Sequence, residues 1–84
     1  MITLRHIKIY KEYNGDGDGF VRCATQEEKS IMDYQHWSLI DNLIQDVNLV
    51  KKGLVSDTFM NSITERLKKN CDNEETIQAL KEIA

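Results

Sequence analysis

The chain has 84 residues, of which 40% are hydrophobic and 30% are charged, and its formal net charge is -3. A chain of this length forms one domain with a thin core, which excludes a multidomain enzyme and leaves little room for a buried catalytic cleft. The hydrophobic fraction excludes a disordered chain, and the acidic balance argues against a basic protein that binds nucleic acid. We therefore predict a single small domain over residues 1–84.

The first 25 residues predict a β-hairpin. Ile7, Ile9 and Tyr13 alternate with charged side chains, and this period of two is typical of a strand. Phe20 begins a second short apolar run, and the Asn-Gly and Asp-Gly steps between the two runs favour the positive φ angles of hairpin turns. We predict two antiparallel strands that are joined at residues 14–19.

The register of the predicted hairpin stays open, because its turn can lie at residues 14–15 or at residues 16–17. Both registers give the same two faces, since side chains alternate along a strand. We assign one face to the core, and it carries Ile7, Ile9, Lys11 and Tyr13 of the first strand with Phe20, Arg22 and Ala24 of the second.

Residues 26–84 have the period of helices and predict about three of them. Thr25 and Glu28 fit a capping box, and Asp33 offers a second helix start. A stripe at spacings of three and four then predicts one long amphipathic helix, which Gly53 ends. The stripe consists of Trp37, Ile40, Leu43, Ile44, Val47 and Val50.

Two further helices follow along the chain. Ser56 caps the first of them, and Asn70 is expected to end it. Asp72 with Glu75 starts the last one. The predicted fold is therefore α+β, with an N-terminal two-stranded antiparallel β-hairpin packed on about three α-helices.

The predicted hairpin loop is the candidate metal site of the sequence. Asn14, Asp16 and Asp18 place oxygen atoms at alternate positions, and Gly19 follows them. This spacing resembles the first half of an EF-hand calcium loop, in which such residues fill the first, third and fifth ligand positions. The twelfth position, where that family has Glu, is Thr25. The resemblance implies a calcium-binding module, and the alternative is a solvated loop.

Five side chains are candidates for contact with a partner: Lys11, Arg22, Tyr10, Tyr34 and His36. Lys11 and Arg22 share one face of the predicted hairpin and make it locally basic, which leaves weak nucleic-acid binding as a second alternative. Tyr34 and His36 come shortly before Trp37, and large rings dominate binding surfaces when they are exposed. Trp37 itself is expected in the core, because it lies in phase with the stripe of the long helix.

The residues that could carry catalysis or hold zinc are isolated along the chain. Cys23, Cys71, His6 and His36 show no metal-ligand spacing and no nucleophile beside a base. The sequence also lacks a phosphate-binding loop, a serine elbow and a His-Glu helix motif. We therefore predict no enzyme and no cofactor, but a small protein-interaction or accessory domain.

A protein partner or a second copy of the chain is expected, because a two-stranded hairpin leaves a strand edge and apolar surface uncovered. The edge at residues 4–11 or 20–24 is where strand addition is expected. No apolar run approaches the roughly 18 residues of a membrane-spanning helix, and the N-terminal residues do not fit a signal peptide. We expect a cytoplasmic protein.

Overall fold

A computed structural model describes all 84 residues, and six helices contain 76% of them. The helices are α1 (Leu4–Glu12), α2 (Gly17–Cys23), α3 (Gln26–Ile31), α4 (Tyr34–Lys51), α5 (Asp57–Asn70) and α6 (Glu74–Ile83). α1 packs on α3, α4 and α6, while α4 also packs on α5, and α6 packs on both α4 and α5. The predicted α+β fold is wrong, because the chain forms a small all-helical domain without a hairpin.

The segment that was predicted as the first strand is α1. At 100° per residue, His6, Ile9, Tyr10 and Tyr13 fall on one side of a helix and Ile7 lies at its margin, an arc of roughly 160°. Ile7 and Ile9 are both buried, because α1 is covered by helices on more than one side. Ile7 and Ile9, which alternate with charged residues in the sequence, therefore lie at the two margins of one wide helical face.

The Asn-Gly turn ends a helix and does not join two strands. Asn14 has φ 53° and Gly15 has φ 73°. The Asn14 N–H donates to the Lys11 carbonyl at 3.0 Å, and the Gly15 N–H donates to the Tyr10 carbonyl at 3.1 Å. These two bonds form a Schellman motif, which needs the same positive φ angles as a tight hairpin turn.

α2 replaces the predicted second strand. The Asp16 carboxylate accepts a hydrogen bond from the Gly19 N–H at 3.1 Å and starts the helix. Phe20 is buried, as predicted for its face, but Lys11 and Arg22 are exposed and do not belong to the core. Because the sheet does not exist, the strand edges that were expected to recruit a partner do not exist either.

Most helix boundaries after residue 25 are confirmed. Thr25 and Glu28 form the predicted capping box, and Asp33 caps α4. Gly53 has φ 69° and follows α4 with the two hydrogen bonds of a Schellman motif, at 3.0 and 3.3 Å. Ser56 caps α5, which ends at Asn70 as predicted.

The start of α6 lies one residue later than predicted. Asn73, rather than Asp72, is the cap, and its side chain accepts from the Thr76 N–H at 3.0 Å. The Asp72 carboxylate instead accepts from the Thr76 hydroxyl. Together the two side chains satisfy the polar atoms of Thr76, which is fully buried.

The molecule measures 42 × 22 × 18 Å, and its 14 buried core residues form one cluster, in and around which two groups of side chains differ in character. We call the first group the aromatic end, and it consists of Tyr10, Tyr13, Phe20 and Trp37. The Trp37 ring lies 4.6 Å from that of Tyr10 and 5.1 Å from that of Phe20, centroid to centroid. Trp37 is 3% exposed, which confirms the prediction that it belongs to the core.

The second group, the aliphatic end, is built by α4, α5 and α6. Its buried side chains are Leu43, Val47, Ile63, Leu67, Ile77 and Leu80. The extended N-terminal residues are fixed against the α5–α6 turn, where the Ile2 N–H donates to the Asn70 carbonyl at 2.7 Å and the Asp72 N–H donates to the Ile2 carbonyl at 3.0 Å. These bonds form the one isolated parallel bridge of the fold, between Ile2 and Cys71.

Candidate functional site

A cavity of about 250 Å³ opens where the start of α2 meets the start of α4. Three carboxylates line it, those of Asp16, Asp18 and Asp41, together with the rings of Tyr34 and Trp37 and the side chain of Val21. We call it the acidic cavity, because no Lys or Arg side chain is among its lining residues. Its volume lies below the roughly 300–1,000 Å³ of a small-molecule pocket and suits one long side chain of a partner.

The turn after α1 positions two of the three carboxylates. The Schellman motif at Asn14 and Gly15 turns the chain, and Asp16 and Asp18 follow on the first turn of α2. Gly17 lies between them against Trp37, and a Cβ atom at Gly17 would lie 3.1 Å from the indole Nε1. The glycine therefore lets α2 begin directly over the edge of the indole ring.

The indole N–H of Trp37 faces this cavity without a partner. Only 3% of Trp37 is exposed, yet its Nε1 atom makes no hydrogen bond within the chain. No fully enclosed polar side-chain atom lacks a partner. The Nε1 atom therefore reaches the cavity surface, beside Gly17. An N–H at the surface can donate to an acceptor on a partner that enters the cavity.

Asp41 forms the wall of the cavity that belongs to α4. Its carboxylate accepts a hydrogen bond from the Tyr10 hydroxyl, which holds it against α1. Burial, and then the bond to Asp41, raise the pKa of Tyr10 far above its usual value. The phenol therefore keeps its proton and acts only as a donor to Asp41. Tyr10 thus holds the Asp41 carboxylate in place, and the Gly19 N–H holds that of Asp16, although Asp16 and Asp18 are both exposed at the rim.

The three predicted metal ligands do not share one site. Asp16 and Asp18 line the acidic cavity, whereas Asn14 lines a separate groove beside Lys11 and Ile44. The likeness to an EF-hand ends at Gly17, because the chain is helical from there onward. No group of three or more His, Cys, Asp or Glu side chains is arranged to hold a metal ion.

The five predicted contact residues lie in different places. Tyr34 is 73% exposed at the acidic cavity, and Tyr10 supports that cavity through Asp41. Lys11 and Arg22 are exposed but line no part of it. The His36 ring stacks on that of His6, with a centroid distance of 4.2 Å.

Sequence reasoning missed two residues of this site, Trp37 and Asp41. The stripe of α4 places Trp37 in the core, and it gives no sign that one atom of the ring stays free at the surface. Asp41 follows Ile40 on a predicted polar face, and its bond to Tyr10 depends on the contact between α1 and α4. Asp16 and Asp18 carried a signal as carboxylates close together in a glycine-rich loop, and Tyr34 carried one as a ring shortly before Trp37.

The two cysteines are both free, with Cys23 exposed and Cys71 buried. Burial raises the pKa of the Cys71 thiol, which disfavours the reactive thiolate. None of the helices has the length and apolar character that crossing a membrane requires. No family model, curated protein or solved structure matches the chain.

Proposed function

We propose that this protein is a non-catalytic interaction domain that binds a basic peptide segment in the acidic cavity. The observation that carries the proposal is the free indole N–H of Trp37 beneath a wall of carboxylates. The cavity can therefore receive a cation and a hydrogen-bond acceptor at the same time. A peptide that contains Lys or Arg supplies both, because its side chain is cationic and its backbone carbonyl accepts a hydrogen bond.

These properties of the cavity favour a peptide over the two alternatives. A calcium ion takes about six to eight oxygen ligands, and no group of three or more His, Cys, Asp or Glu side chains is arranged to hold one. A nucleic acid would bring its phosphates against Asp16, Asp18 and Asp41, and like charges repel. A basic side chain meets the opposite charge, and the exposed Tyr34 ring offers a face on which the cation can rest.

The proposed complex is small and electrostatic. The carboxylates at the rim are exposed, so salt screens their attraction for a basic side chain. This attraction therefore contributes more to the association rate than to the affinity. We expect fast, weak binding that decreases as the salt concentration rises. We further propose a cytoplasmic location, because an exposed thiol such as Cys23 stays reduced in that compartment.

The chain contains a single Trp, so one indole N–H resonance reports on the cavity. We would titrate the ¹⁵N-labelled protein with a nine-residue peptide that contains two Arg, and with a control peptide in which both are Gln. The Arg peptide is expected to shift the Trp37 indole and Asp18 amide resonances, and the Gln peptide is expected to leave them in place. Equal shifts with both peptides, or none with either, would contradict the proposal.

Matched variants separate the cavity from the general negative charge. Asp18→Asn removes one exposed rim carboxylate and is expected to weaken binding severalfold. Glu65→Gln removes the same charge from the exposed face of α5, far along the sequence from the cavity, and is expected to leave binding unchanged. Indole shifts with calcium chloride instead of the Arg peptide would support the calcium alternative and overturn ours.

A second candidate partner is another copy of this chain, seated on the turn between α4 and α5. Leu54 is 71% exposed there, and Phe59 and Met60 are exposed nearby. Lys52 and Asp57 flank these side chains with opposite charges, so two copies related by a twofold axis can pair them. Light scattering at increasing concentration is expected to show a dimer that Phe59→Ser weakens, and a monomer at all concentrations would exclude it.

A further inference from the structure

Two helices of the fold begin in the same way and meet at their starts. His6 is the third residue of α1, and its Nδ1 atom accepts the backbone N–H of Thr3 at 3.0 Å. His36 is the third residue of α4, and its Nδ1 atom lies 3.3 Å from the backbone nitrogen of Asp33. The two imidazole rings stack on each other at 4.2 Å with an interplanar angle of 19°.

The hydrogen bonds of His6 require its neutral form. A backbone nitrogen can only donate, so Nδ1 of His6 must carry no proton where it faces Thr3. A carbonyl can only accept, so Nε2 must carry the proton where it lies 2.9 Å from the Ile31 carbonyl oxygen. A second proton on the ring would set two donors against each other at the Thr3 N–H and leave only the Thr3 hydroxyl oxygen, 3.0 Å from Nδ1, as its acceptor.

The surroundings of His6 also oppose a charge on it. Burial is the main cause that lowers the pKa of His6, and His36 and the Met1 amino group lower it further. The Ile31 carbonyl and the Asp33 carboxylate act in the opposite direction. His36 is different, because its Nδ1 atom lies 2.9 Å from the Asp33 carboxylate, which can accept a proton from it.

We propose that the stacked His6–His36 pair is an acid-sensitive latch that joins the start of α1 to the start of α4. At neutral pH the neutral His6 ring stacks on His36 and closes the first turn of α1. In acid, a charged His6 loses its bond to the Thr3 N–H. Its charge also lies at a helix N-terminus, where the helix dipole disfavours cations. The latch then opens and frees the Thr3 N–H at the start of α1.

The direction of the pH dependence follows from the folded and unfolded forms of His6. The pKa of His6 is lower in the folded chain than its usual value of 6.5. The contribution of the neutral ring to stability is therefore complete above pH 6.5 and is lost as the pH falls from there through the folded pKa. A latch built on a salt bridge to histidine would show the opposite trend.

Hydrogen exchange of the full-length chain at pH 7.5 and pH 5.0 tests the latch, with rates corrected for the intrinsic effect of pH. The amide of Thr3 is expected to lose at least about threefold of its protection at pH 5.0, while amides in the middle of α5 keep theirs. The matched control is the double variant His6→Gln/His36→Gln. Glutamine at this position can still accept the N-cap N–H but does not titrate. The control is expected to show no such loss between the two pH values.

Equal loss of protection in the double variant would overturn the proposal, because the histidines would then not be its cause. The wild-type chain provides a second test if the variant does not fold. The His6 ring proton and the Thr3 amide are expected to titrate together, with one midpoint below pH 6.5. A His6 midpoint at or above pH 6.5 would overturn the proposal. A Thr3 amide resonance that does not change with the titration of His6 would overturn it as well.

Discussion

The two ends of this elongated molecule are held together by different interactions. At the aromatic end, three short helices and the start of α4 meet around rings whose hydroxyl groups bond to carboxylates of neighbouring helices. At the aliphatic end, long helices bury Leu, Ile and Val side chains, and the polar links lie at the surface. Short helices gain little stability from their own backbone hydrogen bonds. At the aromatic end, ring packing and side-chain hydrogen bonds therefore provide the stability that longer helices provide at the aliphatic end.

This difference also separates the surfaces that each end offers. The aromatic end has a cavity with carboxylates and a free N–H, which selects a partner by charge and hydrogen bonding. The aliphatic end exposes Leu54, Phe59 and Met60, and Met60 lines a small, mostly apolar cavity without carboxylates, so this end selects mainly by hydrophobic contact. Directional groups give specificity, so the aromatic end is the better place for a specific partner.

The largest expected effect tests which end contributes more stability. Trp37→Ala removes the ring shared by Tyr10, Tyr13 and Phe20, and we expect a loss of about 3–5 kcal/mol of unfolding free energy. Leu43→Ala is the matched change in α4 toward the aliphatic end, with an expected loss of about 2–5 kcal/mol. Urea unfolding measures both, and a larger loss for Leu43→Ala would show that the rings are not the stronger half of the core.

A second pair of changes tests the hydroxyl groups of the aromatic end. Tyr10→Phe leaves the half-buried Asp41 carboxylate without its donor, and we expect a loss of about 1–3 kcal/mol. Tyr13→Phe removes a bond of 2.9 Å to Glu28, which keeps its bond to the Thr25 N–H, so we expect a smaller loss. Thermal unfolding of both variants compares them. Equal losses would contradict the idea that Asp41 depends on Tyr10.

The turns at the two ends differ in how tightly they are enclosed. Gly53 has a positive φ with no atom within 4 Å of an added Cβ, so Gly53→Ala is expected to cost only the left-handed strain, about 1 kcal/mol. At Gly15 the same Cβ would also lie 3.1 Å from the Tyr10 hydroxyl oxygen. Gly15→Ala is therefore expected to lower the unfolding midpoint in urea more than Gly53→Ala does. The reverse order would show that the turn after α1 is loose.

The smallest expected effect lies at the surface of the aliphatic end. The Arg66 Nη1 atom lies 2.6 Å from the Asp46 carboxylate, and the Arg66 side chain is 50% exposed. Arg66→Ala is expected to cost less than about 1 kcal/mol, because solvent and salt screen such a pair. Unfolding in low and high salt checks this value. A larger loss of unfolding free energy that does not depend on salt would mean that the surface bonds of this end stabilise the fold as much as the side-chain bonds of the aromatic end.

The sequence contained correct information about the second part of the chain because helix starts and ends there are local. Ser56 and Gly53 act through backbone groups within a few residues, so their effect can be recognised without the fold. The same holds for the box of Thr25 and Glu28. The one-residue error at α6 has a local cause too, because Asp72 and Asn73 are both good caps and Thr76 bonds to both.

The prediction for the first 25 residues was wrong because the local sequence signals there are compatible with two structures. An Asn-Gly pair supplies positive φ angles to a hairpin turn and to a Schellman motif alike. Ile7 and Ile9 look like one strand face only if one side of the segment is covered, whereas α1 is covered by several helices. Thr3 and His6 form the helix start that distinguishes the two structures. A capping box usually has Glu or Gln at the third helical position, and His6 does not fit that pattern.

The candidate site was predictable only in its exposed part. Asp16, Asp18 and Tyr34 are unusual in the sequence and lie at the cavity. The contributions of Trp37 and Asp41 depend on which atoms remain free after α1, α2 and α4 have met. No spacing along one helix contains that information.

The bond between Ile2 and the α5–α6 turn limits how the chain can acquire its structure during synthesis. Ile2 is synthesised long before its partners Asn70 and Asp72. The same holds for α1 and α6, which pack on each other. Closing so long a loop is slow compared with forming a helix, so Ile2 and α1 stay unprotected until α5 and α6 have been made. A chaperone that covers α1 would therefore meet it before its native neighbours do.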